Sequence, residues 1–204
     1  MIRQIIILFT FLYLPAGVHA NPLASWGQEQ VVSWGRKVFN PGESDRKAPL
    51  RVVEGIVTQV ADGDTLTMQD DNGTKLKIRL YGIDAPESEK VSKKGKVVKP
   101  GQPGGEEAHQ TLLGKVMGKR VTVAIMGNGN YKRLAGIIRC DGRDINLEMV
   151  QSGWAWGYRQ YLNSPYRSEY LNAEEVARRS RLGLWSNPAP TPPWEFRKQT
   201  KTRI

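Results

Sequence analysis

Residues 62–87, reading DGDTLTMQDDNGTKLKIRLYGIDAPE, constrain the fold of this chain more tightly than any other stretch, because their alternation and their turn admit one register. Residues 65–69 and 74–80 each alternate apolar with polar side chains, the pattern of strands with one buried face. Between them Asp71-Asn72-Gly73 suits a three-residue turn with glycine in the left-handed region, which pairs residue 70 with residue 74. Leu66 then faces Ile78 and Met68 faces Leu76 on the apolar side, while Thr65 faces Arg79 on the polar side. Asp62 and Asp64 therefore arrive beside Arg79. The turn at Tyr81-Gly82, followed by the fixed backbone of Pro86, returns Asp84 and Glu87 to the same strand end. Such a concentration of carboxylates is costly unless positive charge sits among them.

The flanking sequence extends this hairpin into a sheet. Val52, Val53, Ile56, Val57 and Val60 make a strand over 51–60 that leads into Asp62, so three antiparallel strands are expected at about 51–60, 64–70 and 74–81. Residues 88–105 carry Lys90, Lys93, Lys94, Lys96 and Lys99 among glycine and proline and read as a long exposed loop, either a guide for an anionic polymer or a solvated insertion. Helical spacing of Ala108, Leu112, Leu113 and Val116 predicts a helix over 106–117, with strands following at 119–126 and 133–140. Asn146 is expected to cap a short helix ending at Gln151, and a longer helix is expected over 166–180, its basic end at Arg178 and Arg179 matching the helix dipole. Leu182-Gly183-Leu184-Trp185 caps the core. The proline-rich residues after Ser186, through Pro193, are not expected to form a helix, and the tail beyond them is basic. The pattern predicts an α+β fold dominated by β, a five-stranded OB-type barrel with about three helices.

The chain has 204 residues and a formal net charge of +10, which favours an anionic partner: nucleic acid first, an anionic membrane surface second. Residues 1–20 read as a secretory signal, with Arg3, an apolar run over 5–14 and cleavage after Ala20, so a secreted or periplasmic location is expected and no transmembrane span in the mature chain. Residues 21–49 are an irregular leader, 50–186 the folded domain and 187–204 a proline-rich basic tail. With Cys140 alone the chain forms no internal disulfide, and its apolar strand context makes it a small core residue. Trp154 and Trp156 are read as core. His109 lies on a helix away from the motifs, which leaves histidine catalysis without support.

DGDT at 62–65, RLYGIDAPE at 79–87, YKR at 131–133 and GLW at 183–185, in this order and spacing, resemble the staphylococcal nuclease family from about residue 53 to 185. DGDT by itself is weak; the set is specific. The resemblance implies a Ca²⁺-dependent nuclease that hydrolyses DNA and RNA, single strands favoured, by attack at the 5′ P–O bond, leaving 3′-phosphate ends. It places Asp64, Asp84 and the backbone carbonyl of Ala85 on Ca²⁺, an all-oxygen set suited to a hard cation. Many relatives carry threonine at the position of Ala85, but the ligand there is the backbone. Asp62 becomes a carboxylate behind the ligands or, equally, an ordinary turn aspartate.

The same resemblance makes Glu87 the general base, and Arg79 and Arg133 the two planar forks that grip the phosphate. Tyr131 would lie beside the bound nucleotide with Lys132 next to it, and Tyr158 or Tyr161 would give a second stacking surface. Lys132 stands where the family usually has glycine, which bears on the conformation of that loop, and the lysine-rich loop is longer than in the type protein. Two other readings stand beside this one: an OB-type nucleic-acid-binding module without catalysis, and an envelope-associated basic protein whose leader or tail contacts lipid or a partner. A pure binder gains nothing from Asp64, Asp84 and Glu87 in a polyanion site, where they repel phosphate. No stable protein partner is evident.

Overall fold

The computed structural model describes residues 49–128, 133–164 and 166–201. The expected signal segment, the leader up to residue 48, and Tyr131 and Lys132 lie outside the described residues. Strand β1 (Arg51–Asp62) pairs antiparallel with β2 (Thr65–Asp70), which pairs with β3 (Lys75–Leu80). Thr65 lies opposite Arg79, Leu66 opposite Ile78 and Met68 opposite Leu76, the register expected from the sequence. Gly73 sits at φ 80° in the turn, and the Asp70 amide donates to the Thr74 carbonyl at 3.0 Å. The alternation works because Leu66, Met68 and Ile78 are fully buried, each such side chain contributing about 1.5–3 kcal/mol of burial.

A two-residue strand β4 (Ile83–Asp84) follows, then a small hairpin of β5 (Lys90–Val91) and β6 (Val97–Lys99) where a plain loop was expected. Helix α1 (Gly105–Val116) drives Ala108, Leu112 and Val116 into the main core. Strand β7 (Arg120–Asn128) returns along β1, β8 (Leu134–Cys140) runs beside β7, and β9 (Arg143–Asp144) turns back on β8. Parallel pairing of β3 with β8, which sets Ile78 against Leu134 and Leu80 against Gly136, closes five strands into a barrel. Register shifts in β1 at Val57–Gln59 and Val60–Asp62 supply the bend that closure requires. Cys140 is buried in this core, as its context indicated.

Helix α2 (Ile145–Gln151), strand β10 (Trp156–Gly157) and helix α3 (Tyr166–Arg179) complete the body, and a 3₁₀ turn at Gly183–Ser186 buries Leu184 and Trp185 against Trp156. Two expectations are corrected here. The cap of α2 is Asp144, whose carboxylate accepts from the Leu147 amide at 3.0 Å; Asn146 is instead fully buried, accepting from the Ile138 amide and donating to the carbonyls of Tyr81 and Gly136, each at 3.0 Å. It thereby ties the end of β3 to β8 beside the closing pair. The second lies in the tail: residues 187–192 stay out of helix, as expected, but Pro193 opens a helix, α4 (Pro193–Lys201), standing at its first position, where a missing N–H costs nothing.

Because Asn146 satisfies three buried backbone groups, Asn146→Ala is expected to destabilise the fold by about 2–4 kcal/mol, as a lower urea midpoint with unchanged slope.

Candidate functional site

Four segments meet at one end of β3. The first is the turn between β1 and β2, which carries Asp62 and Asp64. Gly63 between them is required by close approach rather than by φ: a Cβ there would stand 2.7 Å from that of Ala108 on α1 and 2.8 Å from that of Ala85. The second is β3 itself, on whose polar side Arg79 stands. The third, β4, is held by pairing Asp84 with Trp156 and Ile83 with Gly157 of β10. Glu174 of α3, buried and paired with Arg178, accepts the Gly157 amide at 2.7 Å and so anchors this short ladder.

The carboxylates converge on Arg79. Its Nη2 lies 2.7 Å from Asp64 Oδ2 and 2.5 Å from Asp84 Oδ1, and its Nη1 donates to Asp64 Oδ1 at 3.0 Å. The Ala85 amide also donates to Asp64 Oδ2, at 3.1 Å, and Thr65 Oγ1 to Asp64 Oδ1, at 2.9 Å. Asp62 accepts from the Asp64 amide at 3.4 Å and pairs with Lys90 at 3.5 Å, so it sits behind the cluster rather than in it. Burial, with Asp62 and Asp84 adding to it, pushes Asp64 up to about 8 against the pull of Arg79: one guanidinium does not compensate this carboxylate fully.

Glu87 joins from the turn after β4. Burial works to raise it, but hydrogen bonds from Lys99 and Arg197 outweigh that and hold it below the usual carboxylate range. Lys99 Nζ contacts one of its oxygens and Arg197 Nη1 the other, at 2.9 Å. Arg133 directly precedes β8, two residues before Ala135, which pairs with Arg79. Tyr158, whose amide donates to the Gly82 carbonyl at 2.8 Å, packs against Tyr161 at a ring separation of 5.0 Å. Trp156 is core, as expected, and Trp154 is partly buried beside it.

The sequence reading missed Lys90, Lys99, Trp194 and Arg197. Lys90 and Lys99 stand at the ends of the β5–β6 hairpin and reach Asp62 and Glu87. From α4, Arg197 places Nη1 3.1 Å from Asp84 Oδ1 and Nη2 2.7 Å from Asp84 Oδ2, while Trp194 stacks on Tyr158 at 5.5 Å and 11°. Gln102 fastens the approach to α4: its amide N–H donates to the Glu87 carbonyl at 2.8 Å and its side chain donates to the Thr191 carbonyl. The only sequence signal for α4 was Pro193 followed by WEFRK, too short to read by periodicity.

As a cation site the donors are hard oxygens, two of them meeting at one arginine nitrogen, and Asp64 calls for more positive charge than Arg79 provides. A divalent hard cation fits that demand. Among the described residues no three acidic, histidine or cysteine side chains group as a metal cage, so Asp64 and Asp84 would need carbonyl, water or ligand oxygens to complete a shell.

Residues 77–187 match the family of staphylococcal nuclease homologues. The chain is 36% identical over 148 residues to an uncharacterized endonuclease of Haemophilus influenzae, covering 72% of this chain and 75% of that protein. It is 34% identical over 156 residues to a micrococcal nuclease of Shigella flexneri, covering 72% and 82%. A staphylococcal-like nuclease of Arabidopsis thaliana is 38% identical over 127 residues, covering 62% of this chain but 35% of its own length.

Gly63→Ala is expected to cost about 1–3 kcal/mol by forcing the first turn away from α1 and Ala85. Gly114→Ala, on α1 with open space around it, is the control and is expected to gain up to about 1 kcal/mol in the same denaturation series.

Proposed function

The chain belongs to the staphylococcal nuclease family and is a nuclease, and on that premise we propose a secreted or periplasmic, Ca²⁺-dependent enzyme that cleaves DNA and RNA at the 5′ P–O bond and leaves 3′-phosphate ends. The observation that carries the reading is the meeting of Asp64 and Asp84 on Arg79 at the end of β3, with Glu87 tied to Asp84 through Arg197 and Arg133 just before the adjoining strand. The apolar, cleavable-looking segment at residues 1–20 supports the location, and no helix among the described residues is long and apolar enough to cross a membrane.

The residues divide the work as follows. Asp64, Asp84 and the Ala85 carbonyl would hold Ca²⁺, which when bound supplies positive charge to the scissile phosphate and its attacking water. Glu87 accepts a proton from a water molecule whose oxygen forms the new bond to phosphorus. As that bond forms, the bond from phosphorus to the 5′ oxygen breaks, leaving the phosphate on the 3′ side, and the departing 5′ oxygen takes a proton from solvent water to become the 5′-hydroxyl. Arg79 and Arg133 bind the non-bridging oxygens, where charge accumulates, and a planar fork can hold two of them at once. Tyr158 and Tyr161 offer ring faces on which unpaired bases stack without regard to sequence or sugar, which suits single strands of DNA and RNA alike, and the family resemblance assigns Tyr131 a place beside the nucleotide.

Digestion of single-stranded DNA by the purified protein, with Ca²⁺ and with chelator, tests the assignment: loss of substrate only with Ca²⁺ is expected, and equal loss in both would end the metal reading. Glu87→Ala and Arg133→Ala are each expected to reduce turnover by at least roughly 10²-fold with the fold intact by circular dichroism. Full activity in Glu87→Ala would remove that residue from the mechanism.

A further inference from the structure

Two independent contacts seat α4 on the site. Midway along the helix, the Arg197 fork takes both oxygens of Asp84, a carboxylate whose side chain is 0% exposed, and one oxygen of Glu87. One turn earlier, near the helix start, Trp194 lies flat on Tyr158 and edge-on to Trp156. The group proposed to hold Ca²⁺ and a ring proposed to stack a base are thus covered by the same helix.

Charge gives this cover a meaning. Asp84 is held by two guanidinium groups, Arg79 on one oxygen and Arg197 on both, so its oxygens are already occupied. A divalent ion that uses those oxygens must therefore take the place of a cation already on them. Arg79 is fixed on a core strand between two aspartates, and Lys90 and Lys99 touch neither of them. Arg197 comes from the last helix, is about a third exposed, and occupies the Asp84 oxygens themselves.

Resting on the metal reading above, we propose that Arg197 competes with Ca²⁺ for Asp84 and so sets the metal affinity of the site: Ca²⁺ binds by displacing the Arg197 fork from Asp84, and α4 lifts from Tyr158 as it does. Binding then carries the cost of undocking α4. If the docked form outweighs the open one by about tenfold, the apparent Kd for Ca²⁺ is raised by about the same factor.

Isothermal titration of the full chain with Ca²⁺, without nucleic acid, reads the exchange directly. Arg197→Gln is expected to bind Ca²⁺ about tenfold more tightly and to be less stable in chelator, with Ca²⁺ restoring the difference. Trp194→Ala, which touches no carboxylate, is expected to tighten Ca²⁺ in the same direction by loosening the helix, and it keeps the test open should Arg197→Gln not fold. Unchanged or weaker Ca²⁺ binding in the variant that folds, with normal binding in the parent, would overturn the exchange and leave the metal site standing. Absence of Ca²⁺ binding in parent and variants alike would overturn the metal site and the exchange together.

Discussion

The Arg79 guanidinium is the contact on which the arrangement of the site depends. It joins Asp64, at the start of β2, to Asp84, on β4, two carboxylates buried too deeply to stand side by side without a cation between them. Arg79 can do this only because β3 is held on both sides, by β2 through the hairpin register and by β8 through the parallel closure. Barrel closure and site assembly are therefore one event: Asn146, which binds the carbonyls of Tyr81 and Gly136 and the amide of Ile138, fastens the strand end from which Asp84 and Glu87 depart. The OB-type barrel serves here as a clamp on one strand end.

Most of that strand end was legible in the sequence, and for a local reason. A three-residue turn with glycine at its last position leaves one pairing, and a period of two then fixes which side chains share a face, so Thr65 opposite Arg79 followed from counting. The β4–β10 ladder was not legible, because two residues carry no periodicity and their pairing is decided by Glu174 far along the chain. Asn146 misled for a chemical reason: asparagine before a helix is a good cap, but Asp144 two residues earlier could do that work, which freed the amide for the barrel seam. In α4 the proline that argued against a helix is the residue that starts one.

A basic chain with an acidic centre also acquires a clearer logic. The lysines of the 88–105 segment read either as a guide for an anionic polymer or as a solvated insertion, yet the two at the base of the β5–β6 hairpin pair with Asp62 and Glu87, while Lys93, Lys94 and Lys96 remain exposed beyond them. The surplus positive charge thus lies around the carboxylates rather than among them, where it attracts a polyanion towards a cluster that would otherwise repel it.

The same bookkeeping of charge relates metal and substrate. Arg197 is one of two guanidinium groups on Asp84, and in the proposed exchange a divalent ion takes its place and brings one more positive charge into a setting where burial makes an uncompensated charge expensive. A phosphodiester brings a negative charge to the same place, so the binding of each favours the other. The helix that covers Asp84 and Tyr158 then yields to both halves of the ligand at once: its arginine gives way to the ion and its tryptophan to a base.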